Sequence, residues 1–278
     1  MQAYIRKGIT TVFVPAAALV LWQIIAVKLD NPVVLPTVDA VFSVLLNPFE
    51  ELLSMGSLIQ NILISLWRVL IGFFLATVIA VPLGIIMGYN QTVFTLLHQS
   101  LGLIRPIPPL AWVPLVLAWF GIASVANLFG IQSGEAYLYL RNIKLSMIFI
   151  IFIGAFFPVL TSAIYGVQSV RKILIDSALV LGAAPHQVFR SILLPAALPS
   201  IVNGMRIGLG VAWMCLVSAE MLPGSIAGVG YLITHAYTVA RTEIVIAGMV
   251  SIGLIGTVLD TVFRLMSDRK FSWQRLSR

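Results

Sequence analysis

Apolar residues in this chain fall in long, nearly uninterrupted runs rather than in the spaced pattern of a soluble core. The runs predict six membrane spans, at about 9–27, 61–88, 93–120, 145–167, 198–222 and 244–265. Each is close to the ~20 residues that cross a hydrocarbon core. Between the first two lies a polar stretch in which Val38, Val41, Phe42, Leu45 and Leu46 recur at helical spacing. That spacing predicts a short amphipathic helix lying in the interface. In the second span, Gly84 and Gly88 stand four apart and offer a flat patch for close helix packing. The third run carries Pro106, Pro108, Pro109 and Pro114. Each proline removes a backbone donor, so this run is either a kinked helix buried by its neighbours or a broken helix lining a pathway.

Composition supports the bilayer as solvent. The 278 residues are 60% hydrophobic and 10% charged, against roughly 25% charged in soluble domains. The fold expected is all-α, a polytopic membrane protein of about six transmembrane helices. The net charge of +7 does not point to nucleic acid, because the cations flank apolar runs. Arg6, Lys7, Arg105, Arg171, Lys172, Arg190 and the tail Arg264, Arg269, Lys270, Arg275 and Arg278 fall on one side of the predicted topology. Lys28, Arg141, Lys144 and Arg241 fall on the other, with Asp30, Asp39, Glu50, Glu51, Glu135 and Glu243. By the positive-inside rule both termini are cytoplasmic, and so is the loop 168–199. The first run is longer than a signal-peptide core and reads as a retained span.

Catalytic chemistry is not in evidence. The single cysteine, Cys215, lies in an apolar run, and His98, His186 and His235 are scattered, which argues against disulfides and a metal site. No G-x-x-x-x-G-K-[ST] phosphate loop, H-E-x-x-H or nucleophile elbow occurs. No enzyme activity is expected of this chain. A secondary transporter would show paired inverted repeats, and none is visible.

The loop 168–199 reads as two short helices. Asp176 sits near the start of the first with Lys172 four residues earlier, in position to pair with it. Gly182 to Pro185 breaks the run, and 186–194 forms a second amphipathic helix before Pro195. Small residues on a short helix leave a shallow ridge able to dock into a groove on a soluble partner.

Asp176-Ser177-Ala178, then Gly182, then Ile192, Leu194 and Pro195 resemble the E-A-A-x3-G-x9-I-x-L-P motif of importer permeases of the ATP-binding-cassette superfamily. Asp stands for Glu and Ser for the first Ala, keeping charge and size. The stretches 103–114 and 204–213, Ala219-Glu220-Met221, and Asp260 resemble the nitrate/sulfonate/taurine/bicarbonate group. The likeness runs from about residue 61 to the tail. It implies an N-terminal span with a periplasmic amphipathic segment over 1–60, followed by a type I permease core over 61–278 with a cytoplasmic coupling-helix loop. The connection 121–144 is longer than is usual in that group.

The resemblance further implies the membrane-spanning permease of an importer in a bacterial plasma membrane, moving a small anion by alternating access. A second permease copy, separate ATPase subunits on the loop and a periplasmic or lipid-anchored substrate-binding protein would be its partners. ATP and magnesium would belong to the ATPase, with no cofactor on this chain. The pathway or gate candidates are Arg105, Pro109, Trp112, Arg206, Trp213 and Glu220. Each has a plainer reading. Arg206 either snorkels to the inner interface or lines an anion path, and Trp112 and Trp213 either pack or line that path. Glu220, near the outer end of its span, either sits at the headgroups or pairs with an arginine such as Arg68 or Arg241. Charge within a span costs ~2.5–3.5 kcal/mol at a helix centre, so such partners are expected. Asp260 and Arg264, four apart, read as a structural pair on the last span.

Overall fold

A computed structural model describes residues 2–121, 123–134, 137, 140–221 and 225–270, with side chains from Phe13 onward. Leu222, Pro223, Gly224, Glu135, Arg275 and Arg278 lie outside the described residues, as do the side chains of Arg6 and Lys7. Among the described residues regular structure is helical, with two isolated bridges, Glu51–Ser57 and Ser124–Lys144. In order these are α1 (Gln2–Leu29), α2 (Val38–Leu46), α3 (Leu58–Tyr89), α4 (Gln91–Ile104), a 3-10 turn (Pro109–Trp112), α5 (Val113–Phe120) and α6 (Val125–Leu128). Then come α7 (Leu145–Gln168), α8 (Lys172–Val180), α9 (Pro185–Val188), a π segment (Phe189–Leu193), α10 (Leu194–Glu220), α11 (Val229–Thr238) and α12 (Thr242–Lys270).

Four helices are long and apolar enough to cross a membrane: α3, α7, the continuous helix Pro185–Glu220 and α12. A fifth crossing is made if α4 and the segment Pro109–Phe120, which meet at 82°, count as one. The described part of α1, Phe13–Leu29, is apolar and coincides with the first predicted span. The proline-rich run is therefore broken, not kinked. Pro106 and Pro108 supply no amide, and the chain between the two helices makes only isolated turns, Ile107 N to Ile104 O and Ala111 N to Pro108 O.

The chain divides into two compact units, 1–63 with 227–253, and 64–226 with 254–278. In the first, Gln23 on α1 anchors the start of α2. Its Oε1 accepts from Val38 N at 2.8 Å and its Nε2 donates to Asp39 at 3.2 Å. Thr37 caps α2, which buries Val41 and exposes Phe42 and Leu46, as an interfacial helix does. Buried Asn61 donates to the carbonyls of Met55 and Ser57 and accepts from Gly228 N at 2.8 Å.

The second unit is organised around α7, which has 67% of its apolar window buried, against 22% for α12. Glycines bring its neighbours close. A Cβ at Gly204 of α10 would lie 2.2 Å from Ser162 Cβ, and one at Gly208 2.8 Å from Val159. From α3, Gly84 meets Ala163 and Gly88 meets Val167, so the predicted flat patch faces α7. Two apolar clusters seal the unit. Val113, Met147, Ile150, Cys215 and Ala219 form one, and Ala163, Val167, Leu193, Ala197 and Ile201 the other. The long connection after α5 is pinched at its base by Val125 N to Ile143 O and Leu145 N to Ala123 O.

Candidate functional site: an exposed loop, a cavity and two ion pairs

The motif-bearing loop is a capped helix presented to its surroundings. In α8, Asp176 and Ser177 are exposed and Ala178 half-buried. The helix ends in a Schellman arrangement, with Gly182 N donating to Leu179 O and Ala183 N to Ala178 O. Gly182 has φ of +87°, a conformation that favours glycine, with open space where a side chain would stand. Ile173, Leu179, Val180 and Leu181 are exposed around it, the last two almost fully. Asp176 lies in the middle of α8 rather than near its start, and Lys172 does not pair with it; the described ion pairs are Arg68–Glu220, Arg206–Asp260 and Arg241–Glu243.

The second predicted helix differs in its end. Instead of stopping before Pro195, α9 runs through the π segment into α10, with Ile192 and Leu194 half-buried and Pro195 exposed. A π turn takes in one extra residue, and Leu194 N bonds Phe189 O accordingly. Pro195, interior to this continuous helix, has no amide to donate and directly follows the widened turn.

A cavity of about 410 Å³ opens at mid-length of α7 and α10. Arg105, Pro109, Phe157, Thr161, Ser162 and Val211 are among its lining. Arg105 follows α4 immediately before the prolines, at the 82° bend, and lines this cavity with central residues of α7. Pro109 lines it too, whereas Trp112, Arg206, Trp213 and Glu220 do not. Trp112 stacks obliquely on Phe149 with its indole nitrogen buried and unbonded, and Trp213 is buried with Gly256 against its ring.

Arg206 and Glu220 each belong to an ion pair. Arg206 Nε and Nη2 reach Asp260 at 2.6 and 3.1 Å, both side chains part-exposed. This replaces the expected Asp260–Arg264 pair, because the fork of Arg206 meets both carboxylate oxygens across helices. Arg264 lines a polar hollow with Arg206, Asn203 and Asp268. Glu220, at the end of α10, receives Arg68 Nη1 at 2.6 Å, with both side chains wholly buried. Ser65 donates to the same carboxylate at 2.8 and 2.9 Å. Arg68 Nε and Nη2 donate to Asn142 O at 3.0 and 2.6 Å, tying the end of the long connection to α3. Arg241 pairs with Glu243. Ser65 escaped the sequence reading, although it stands three residues from Arg68 on one face of α3. Nearby Lys144 is driven below its usual ammonium range, first by burial and then by the charges of Arg68 and Arg141.

Among the described residues no group of three metal-ligating side chains occurs. The model of the binding-protein-dependent transport system inner membrane component family matches residues 80–272. A protein of Methanocaldococcus jannaschii named as an ABC transporter permease is 48% identical over 98% of this chain and 95% of its own. The taurine transport system permease protein of Escherichia coli is 35% identical over 91% of this chain and 84% of its own. An inward-facing structure of a methionine ABC transporter superposes with a TM-score of 0.61 at 17% identity, covering 76% of this chain and 95% of that one, which speaks to the fold alone. On these grounds the chain belongs to the binding-protein-dependent transport system inner membrane component family, as an ABC importer permease of the nitrate, sulfonate and taurine group.

Proposed function

We propose that this permease carries a small oxyanion, of the nitrate, sulfonate, taurine or bicarbonate class, by alternating access driven by a separate ATPase. Two copies enclose the pathway, with the cavity beside Arg105 and Pro109 as part of it. A binding protein delivers substrate on the outer face. Residues 1–60 add an outer anchor to a core over 61–278, both termini lie in the cytoplasm, and the membrane is the plasma membrane. The observation that carries the reading is the loop 176–195: a rigidly capped helix whose apolar side chains Val180 and Leu181 stand exposed beside the small residues Ser177 and Gly182. An unpartnered ridge of this kind is suited to a groove on a soluble subunit.

The test is co-purification in detergent of the chain with its ATPase partner subunit, comparing wild type with Gly182→Trp. At this position a bulky ring projects into open space and is forced into the left-handed backbone region. Wild type is expected to retain the ATPase and the variant to lose it while remaining folded and monodisperse. Wild type that binds no ATPase, yet alone moves nitrate or taurine down a gradient, would instead establish a secondary transporter.

A further inference from the structure

Arg68, Arg105 and Arg206, all in the second unit, differ in their surroundings. Arg68 is neutralised by Glu220, and Arg206 by Asp260. Arg105 has no carboxylate within ion-pair distance among the described residues. It is also exposed, and it lines the cavity at mid-length of α7 and α10. An uncompensated guanidinium at that depth is costly in hydrocarbon and becomes tolerable only where water or an anion meets it. The remaining lining is apolar apart from Thr161 and Ser162. Thr161 already donates its hydroxyl hydrogen to Phe157 O at 2.8 Å, which leaves the guanidinium as the dominant charge.

Resting on the pathway reading above, we infer that Arg105 is the anion-selecting group of this permease, presenting its planar fork to the oxygens of a nitrate-, carboxylate- or sulfonate-like solute in the cavity. The fork matches two oxygens of a trigonal or tetrahedral oxyanion, and among the described residues no acidic side chain pairs with it. The two neutralised arginines hold helices together, whereas this one is left for the solute. Arg206, the other arginine considered for an anion path, is occupied by Asp260 and does not line the cavity.

The chain's single cysteine makes a direct test available. On a Cys215→Ala background, Ser162→Cys places a reporter thiol in the cavity wall. The permease, assembled with its ATPase in proteoliposomes, is treated with anionic sulfonatoethyl and cationic trimethylammonioethyl methanethiosulfonate. With Arg105 in place the anionic reagent should react about tenfold faster than the cationic one, the scale on which a focused charge changes encounter rates. The preference should vanish in Arg105→Gln, invert in Arg105→Glu and persist in Arg105→Lys, the last guarding against variants that merely misfold. An unchanged ratio in Arg105→Gln overturns the role of Arg105 while leaving the pathway intact. Failure of both reagents to react in any variant means the cavity is closed to water, and the pathway reading falls with the inference.

Discussion

Two cross-helix ion pairs in the second unit use the same chemistry in opposite settings. Arg68–Glu220 is wholly buried, and Ser65 and Asn142 O add further hydrogen bonds to its two members. Arg206–Asp260 is bidentate but part-exposed, beside a polar hollow that Arg206 shares with Arg264 and Asp268. A buried charge is tolerated only when each of its hydrogen-bonding positions is met, so losing one partner strands the other. A part-exposed pair has water or headgroups to fall back on, and its loss is screened. The first pair is thus a structural node joining α3, α10 and the end of the long connection. The second is an adjustable contact between α10 and the C-terminal half of α12.

The comparison can be broken from its strong end. Glu220→Ala leaves Arg68 buried and uncompensated, and thermal unfolding in detergent should register a loss of ~3–5 kcal/mol. Exchanging the charges, Arg68→Glu with Glu220→Arg, should fail to restore stability, because a carboxylate would then face the Asn142 carbonyl that now takes two donors from Arg68. Full restoration by the exchange would mean that charge alone matters there. Ser65→Ala removes one hydroxyl donor from Glu220 and should cost ~1 kcal/mol by the same measurement. At the weak end, Asp260→Asn should leave the unfolding midpoint within experimental scatter. A loss there as large as that of Glu220→Ala would show that depth in the membrane, not burial within the chain, separates the two pairs.

Much of the architecture was legible because hydropathy and proline act locally. The apolar runs located α3, α7, α10 and α12, the prolines at 106 and 108 marked the break, and Gly84 with Gly88 marked the approach to α7. Pairing between helices was legible at Glu220, for which Arg68 was one of two partners offered, and not elsewhere. Along one helix Asp260 and Arg264 are neighbours, as are Lys172 and Asp176, and a sequence offers such partners first. The structure gives Asp260 to Arg206 and leaves Lys172 and Asp176 apart, because a fork meeting two oxygens outweighs a flexible pair on an exposed helix. The cavity that Arg105 lines was not legible for a related reason, since an 82° bend is a property of three dimensions. The candidates 176–195 were legible as a spacing, whereas the π segment inside them was not, since Pro195 signals a stop and the helix absorbs it.

That π segment also sets an angle. Each residue of an α-helix turns the chain by about 100°, so the extra residue taken in between Phe189 and Leu193 rotates α9, and the loop before it, relative to the α10 axis. Deleting one residue there would leave the hydrophobicity of the chain and the composition of the loop almost untouched. The loop would nevertheless point to another quarter of the compass. A single inserted residue is a dial for the bearing of that loop, and its setting is inherited as chain length rather than as side-chain chemistry.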